Sequence, residues 1–173
     1  MRALALTGIA ATIFICPAIA AEQGWPEFSY PESGFAAQYP SRPQVAERDY
    51  KTAQLPEGAV KERVYSYNSG GVIYAVEIAD FSRTRAEKDR TIDEAAKNLI
   101  ARGRLTHDES GRIDWNYGRE IRIEDVSGTS ITDAIFFIDQ KLYQIKVTYP
   151  AMNTDPNGSS GIHFFQQAFR LLH

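Results

Sequence analysis

The sequence predicts an α+β domain in which a single antiparallel β-sheet is covered by helices on both faces. Residues 72–81 and 129–138 alternate as strands do, yet they carry apolar side chains on both of their faces. A strand that is apolar on both faces has to be covered on both sides. Two amphipathic segments, residues 91–103 and 160–172, have the helical period and provide the covering layers.

The first twenty residues predict a secretory signal peptide. Arg2 gives a basic start, residues 3–15 carry no charge, and Ala18-Ile19-Ala20 places small residues at both positions that a signal peptidase reads. We therefore expect cleavage after Ala20. The product, residues 21–173, is expected to be a single periplasmic or secreted domain.

Two other readings of the leader remain open. Residues 3–21 have nearly the length of an uncleaved membrane anchor. Cys16 is a candidate for lipidation, although the bulky pair Phe14-Ile15 before it departs from the small residues that such processing requires.

The composition restricts the chemistry of the domain. Cys16 is the only cysteine, so cleavage leaves no disulfide, thiol nucleophile or thiolate ligand, and a core must supply the stability. Without Arg2, 18 basic residues stand against 22 acidic ones, a net charge of −4. This balance disfavours a nucleic-acid partner, and no later apolar run is long enough to span a membrane.

The first half of the domain predicts three strands. Residues 35–39 form a short edge strand, residues 41–58 a polar loop with some extended structure, and residues 60–67 a second strand. The turn Asn68-Ser69-Gly70-Gly71 then joins the second strand to residues 72–81, because adjacent glycines adopt positive φ at low cost.

The second half predicts two helices with strands between them. Thr91 and Glu94 have the spacing of a capping box at the start of the first helix, and Gly103 follows its end. The intervening strands cover residues 105–107, 113–117, 119–126, 129–138 and 141–149, and the last two are joined by a hairpin turn at Asp139-Gln140. Ile162, Phe165, Phe169 and Leu172 form one stripe of the second helix, residues 160–172.

Several short motifs resemble those of secreted domains with the PsbP fold. Gly34-Phe35-Ala36-Ala37-Gln38-Tyr39-Pro40 resembles the opening motif of that family, and Gly118-Arg119-Glu120 is similar to its mid-chain segment. Leu142-Tyr143-Gln144 and the closing Phe169-Arg170-Leu171 are similar to its ending. The resemblance covers nearly all of residues 21–173. It implies an antiparallel sheet between helical layers, and a binding or accessory role without a shared catalytic constellation.

His107 is the best candidate for acid–base or metal chemistry. An imidazole beside Asp108 and Glu109 can bind a cation or move a proton, and folding that brought His107 to Asp114, Glu120 or Glu124 would create a hydrolase-like site. The alternative is a polar hairpin end before Ser110-Gly111. His163 is expected to be exposed in the last helix, and His173 is the final residue.

The usual catalytic motifs are missing from the sequence. It contains no G-x-S-x-G serine, phosphate-binding glycine loop, H-E-x-x-H pair or EF-hand loop. We therefore assign no catalytic, cofactor-binding or metal-ligating residue and expect no cofactor.

Three surface features have two readings each. The basic run Arg83, Arg85, Lys88 and Arg90 suits an anionic lipid headgroup or an acidic partner, or forms a solvated loop with its interleaved acids. Trp115-Asn116-Tyr117 and Tyr65-Ser66-Tyr67 line a ligand or partner surface, or cap the core. Asn157-Gly158-Ser159 is a glycosylation sequon or simply a turn.

The sequence thus predicts an exported, periplasmic, non-enzymatic protein that binds an envelope protein or a small molecule. The alternatives are an envelope enzyme, hydrolase-like, with a dispersed site around His107, and a structural subunit of an envelope complex, which an exposed aromatic patch would reveal.

Overall fold

The computed structural model describes residues 24–55, 58–150 and 159–172. The predicted leader, the sequon at Asn157 and His173 lie outside the described residues. In chain order the elements are β1 (Glu27–Tyr30), β2 (Phe35–Gln38), β3 (Gln44–Lys51), β4 (Ala59–Ser69), β5 (Val72–Asp80), α1 (Lys88–Ile100), β6 (Gly103–Ile113), β7 (Asn116–Asp125), β8 (Thr129–Ile138), β9 (Lys141–Pro150), α2 (Ser159–Gln167) and β10 (Arg170–Leu171).

The strands form two antiparallel sheets. The large sheet has seven strands in the order β3-β4-β5-β9-β8-β7-β6, and the small sheet has three in the order β1-β2-β10. Helix α1 packs on one face of the large sheet, whereas the small sheet and α2 pack on the other. The prediction of a single sheet covered by helices on both faces is therefore wrong, because one of the covering layers contains a second sheet.

The strand predicted over residues 35–39 is confirmed as β2, but it lies in the middle of the small sheet and not at an edge, and its neighbours β1 and β10 were not predicted. A 3-10 turn at Pro31–Ser33 followed by Gly34, whose φ is +79°, reverses the chain between β1 and β2. The helix predicted over residues 160–172 ends at Gln167, since the chain then pairs with β2 and the Leu172 N–H donates to the Gly34 carbonyl at 2.9 Å. Strands of four and two residues are too short to show an alternating pattern.

The segment predicted as a polar loop with some extended structure, residues 41–58, contains the eight-residue strand β3. β3 is an edge strand and nearly all of its side chains are exposed, so it lacks the apolar alternation of a half-buried strand. Its charges instead match those of β4 in three consecutive opposed pairs: Glu47–Arg63, Arg48–Glu62 and Asp49–Lys61. Such opposed pairs favour this register over a slip by one residue.

Helix α1 begins earlier than the sequence predicted. Its N-cap is Glu87, and Thr91, the predicted cap, lies within the helix and donates its hydroxyl hydrogen bond to the Glu87 carbonyl at 2.6 Å. The Glu94 carboxylate accepts hydrogen bonds from the Thr52 hydroxyl at 2.9 Å and the Ala53 N–H at 2.6 Å. The predicted capping box is therefore absent. Glu94 instead links the helix to the β3–β4 connection through these two hydrogen bonds.

The strands between α1 and β8 number two in the structure, where the sequence predicted three. β6 and β7 form one long hairpin whose turn lies at Asp114-Trp115, so Ser110-Gly111 is within a strand and does not end a hairpin. The predicted turns at Gly70-Gly71 and Asp139-Gln140 are confirmed. The strand predicted over residues 129–138 is confirmed as β8.

A row of charged side chains crosses five strands on the face that carries α1. Arg48 contacts Glu62 and also Glu77, 3.0 Å away; Glu77 contacts Lys146, and the Lys146 Nζ is 3.7 Å from the Asp133 Oδ2. Gln144 donates to the same Asp133 oxygen at 2.7 Å. We call Arg48, Glu62, Glu77, Lys146 and Asp133 the charged row.

Two members of the charged row are almost completely buried. Asp133 is 0% exposed and Glu62 is 2% exposed. Burial raises the pKa of Asp133 to about 6 and also raises the pKa of Glu62, because water no longer stabilises their charged forms. The Asp133 Oδ1 accepts no hydrogen bond from the described residues. Burial alone would lower the pKa of Lys146, but Asp133 and Glu77 raise it.

We expect the protein to become more stable as the pH falls from about 7 to about 4.5. The pKa of Asp133 is higher in the folded chain than its ordinary value of 3.8, so the folded state binds the proton more tightly and the cost of burying the ionised carboxylate disappears below pH 6. The gain over this range is about 2 kcal/mol. Urea unfolding at a series of pH values measures it.

The matched variants are Asp133→Asn and Asp49→Asn. Asp133→Asn should flatten the pH profile between 4.5 and 7, since the side chain no longer titrates. Asp49→Asn should leave the slope in place, because Asp49 is exposed and Lys61 lowers its pKa. A wild-type stability that decreases steadily over this range would contradict the assignment.

Candidate functional site

The turn of the β6–β7 hairpin carries two large aromatic side chains that are mostly exposed. Trp115 is 88% exposed and Tyr117 is 65% exposed, and the Arg112 guanidinium lies 5.8 Å from the centre of the Trp115 ring. We call residues 112–117 the hairpin tip. Tryptophan and tyrosine are enriched at protein interfaces, so two exposed aromatic rings on one hairpin indicate a contact surface.

A glycine pair determines how the base of the hairpin tip packs on the large sheet. Gly111 and Gly118 are directly opposed on β6 and β7, on the face where the Phe136 ring lies. A Cβ on Gly118 would come within 2.2 Å of the Ile135 carbonyl oxygen and 2.4 Å of the Phe136 ring, closer than atoms can approach. The absence of a side chain at this position therefore lets Phe136 cover the hairpin backbone.

Arg119 anchors the opposite face of the hairpin to α1. Its guanidinium donates two hydrogen bonds to the Asp108 carboxylate, at 2.8 and 2.6 Å, and one to Asp93 of α1 at 3.2 Å. The hydrogen bonds from Arg119 hold the pKa of Asp108 below its ordinary value. Phe136 on one face and Arg119 on the other thus hold the hairpin in place below its tip.

A groove runs along each face of the hairpin. The α2 groove, of about 410 Å³, has an apolar floor that includes Phe136 and Phe169. Its other lining residues are Gly111, Arg112, Ile113, Asp114, Glu120, Ala134, His163, Gln166 and Gln167. The α1 groove, of about 460 Å³, is lined by Lys88, Asp89, Ile92 and Asp93 of α1 and by Asp108, Glu109, Ser110, Tyr117, Gly118 and Arg119 of the hairpin.

The predicted partners of His107 do not converge on it. Within the described residues, Glu109 is the one carboxylate within 4 Å of the His107 imidazole, at 3.8 Å. Glu124 pairs with Arg104 near the start of β6, Glu120 lies opposite Glu109, and Asp114 is at the turn. The hairpin spreads these carboxylates along its length, so the cluster that a hydrolase-like site needs is not formed.

Two of the candidate carboxylates do share a site, but with other neighbours. Asp114 and Glu120 both line the α2 groove, together with the exposed His163 of α2. The part of the chain that the structure describes contains no group of three His, Cys, Asp or Glu side chains arranged to hold a metal ion.

The remaining surface candidates separate clearly. Tyr65 is 1% exposed and its hydroxyl is 2.6 Å from that of Ser33, so it belongs to the core, unlike Trp115. All four residues of the basic run are exposed, namely Arg83, Arg85, Lys88 and Arg90, and Lys88 lines the α1 groove.

Neither α1 nor α2 combines the length and the apolar character that crossing a bilayer requires.

Sequence reasoning missed the charged row. From the sequence, no role is assigned to Glu77 within β5, Asp133 within β8 or Lys146 within β9. The signal was present, because a charge flanked by apolar residues on a covered strand needs a partner on the neighbouring strand. Lys146 and Asp133 are such partners, directly opposed in register.

The fold is similar to that of a known protein. The solution structure of cyanobacterial PsbP (CyanoP) from Synechocystis sp. PCC 6803 matches with a TM-score of 0.54 and 14% sequence identity, over 90% of this chain and 96% of that chain. This match confirms the PsbP-like fold that the sequence motifs predicted. No family model matches the chain, and no curated protein is similar to it in sequence. At 14% identity the likeness is one of fold alone.

Gly118→Ala should destabilise the protein by about 1–3 kcal/mol, because the new methyl group would push both the Phe136 ring and the Ile135 carbonyl away from the hairpin. Gly111→Ala is the matched control: its Cβ would lie 3.4 Å from the Phe136 ring, and its effect should stay within about 1 kcal/mol. Denaturant unfolding measures both. Equal effects of the two substitutions would show that the close approach at Gly118 is not needed.

Proposed function

We propose that this protein is exported to the periplasm and acts there as a non-enzymatic accessory protein that binds a protein partner through the hairpin tip. The observation that carries the proposal is the exposure of Trp115, at 88%, on a hairpin that is fixed below the tip on both faces. An exposed indole loses contact with water when a partner covers it, and such rings contribute a large share of the binding energy at interfaces.

The shape of the surface around the tip supports protein binding. The α2 groove and the α1 groove flank the same hairpin, so a partner that receives Trp115 can also contact both faces of the strands below it. Each groove is open and lined by a mixture of polar and apolar groups. A small-molecule site would instead enclose most of its ligand.

The proposal of an accessory role also has support from the fold. The PsbP resemblance implies binding modules without a shared catalytic constellation, and the carboxylates proposed around His107 are dispersed along the hairpin. The charged row does contain perturbed carboxylates, but Asp133 is enclosed between the sheet and its covering layer, where a substrate has no access.

Export can be tested directly. We expect the full-length chain, expressed in an export-competent bacterium, to be recovered from the periplasmic fraction with Ala21 as its N-terminal residue. Replacing Ala18 and Ala20 by Arg, which removes both small residues of the cleavage site, should leave the unprocessed chain. Edman sequencing of the wild-type product decides the point, and an N-terminus at Cys16 or an intact leader would contradict it.

Partner binding can be tested by photo-crosslinking from the hairpin tip. A benzophenone amino acid in place of Tyr117, which is 65% exposed and leaves Trp115 intact, should give one reproducible crosslinked species in intact cells that produce the protein. The same amino acid at Val126 is the matched control, since Val126 is fully exposed on the turn at the other end of β7. Crosslinks of equal pattern and yield from both positions, or none from position 117, would remove the hairpin tip as a binding surface.

A further inference from the structure

The hairpin tip is surrounded by acidic side chains that have no strong partner. Asp89 and Glu109 line the α1 groove, and Asp114 and Glu120 line the α2 groove. Among the described residues, Asp89, Asp114 and Glu120 form no ion pair within 4 Å, and Glu109 has only the His107 imidazole at 3.8 Å. We call these four carboxylates the acidic collar.

The basic groups of the same surface do not cancel the acidic collar. Arg119 is already bound by Asp108 and Asp93, and Arg112 lies over the Trp115 ring. Lys88 lies at the edge of the α1 groove, and Arg83, Arg85 and Arg90 line neither groove. The surface around the exposed aromatic rings is therefore net negative.

We propose that the protein partner presents a basic surface: an apolar depression that receives Trp115, bordered by lysine or arginine side chains that face the acidic collar. This inference rests on the proposed function and adds the chemistry of the partner. Complementary charges at the rim of an interface raise the association rate and select among partners. The apolar contact of Trp115 then supplies most of the retention.

The same charges argue against a membrane as the target. Exposed tryptophan and tyrosine also anchor proteins to lipid headgroups. However, biological membranes with a surface charge, including those of bacteria, are anionic. An anionic surface repels a cluster of carboxylates. The acidic collar thus favours a basic protein surface over a bilayer.

The test compares two double variants that carry the photo-crosslinker at position 117, so that Trp115 is retained. Asp114→Asn with Glu120→Gln neutralises half of the acidic collar. Asp139→Asn with Glu47→Gln makes the same change of charge at exposed positions outside both grooves. Asp114 and Asp139 are closely matched, because each is a turn residue with positive φ, at +52° and +49°, a conformation that asparagine adopts readily.

The probe is a periplasmic extract at about 20 mM and about 300 mM KCl, a change that shortens the Debye length from about 20 Å to about 6 Å. For the chain with unchanged acids we expect the crosslink yield to fall severalfold at the higher salt. The Asp114/Glu120 variant should lose about three- to tenfold in yield at low salt and show a weaker salt dependence. The Asp139/Glu47 variant should stay within about twofold of the unchanged chain, and thermal unfolding confirms that all variants fold.

Each other outcome overturns a stated part of the two proposals. A crosslinked partner whose yield is insensitive to salt and to the Asp114/Glu120 change overturns the basic surface but leaves the protein-binding role standing. Absence of any crosslink from position 117 overturns both. Binding of the Trp25→Phe variant to vesicles of phosphatidylethanolamine and phosphatidylglycerol, measured by the fluorescence of Trp115, overturns the choice of a protein over a membrane.

Discussion

The charged row constrains the large sheet more than any other interaction. Five charges lie side by side on five neighbouring strands, and Asp133 and Glu62 have almost no contact with solvent. A buried charge without a partner costs several kcal/mol, so each strand has to present its charge next to that of its neighbour. A slip of one residue in β5, β8 or β9 would carry that charge to the apolar core between the two sheets. The row therefore favours one register across the sheet at the expense of stability at neutral pH.

The hairpin tip owes its exposure to the same construction. The charged row and α1 keep the centre of the large sheet rigid, and β6 and β7 extend from its edge with a polar surface. Phe136 over the glycine pair and Arg119 against α1 fix the hairpin below the turn. Beyond these anchors no described element covers Trp115. A rigid support with an exposed aromatic end loses little conformational entropy on binding, which is what an interface requires.

The parts of the fold that the sequence predicted are those with long, regular apolar patterns. β5 and β8 were located because apolar residues occupy both of their faces over about ten positions, and the turn after β4 was located by its adjacent glycines. β3 was not predicted because its residues are charged and exposed, and a hydrophobicity pattern does not detect pairing between charges, here Glu-Arg-Asp against Lys-Glu-Arg on β4. β2 was predicted as an edge strand but lies in the centre of the small sheet, and β1 and β10 were not predicted because strands this short are specified by their tertiary pairing. The wrong single-sheet architecture follows from that last omission.

The candidate site shows the same division. From the sequence, Trp115 and Tyr117 were predicted either to form an interface or to cover the core. The neighbouring residues do not decide between these two roles, because the exposure of the rings depends on which other elements pack against the hairpin. It grouped His107 with Asp114, Glu120 and Glu124 by residue type, whereas the antiparallel geometry places them at successive positions along a ribbon. Two proteins that share a fold at 14% identity have the same arrangement of layers, but surfaces such as this hairpin can differ between them. The function of this chain therefore depends on the hairpin tip, where no described element covers Trp115 and the aromatic and acidic side chains can contact a partner.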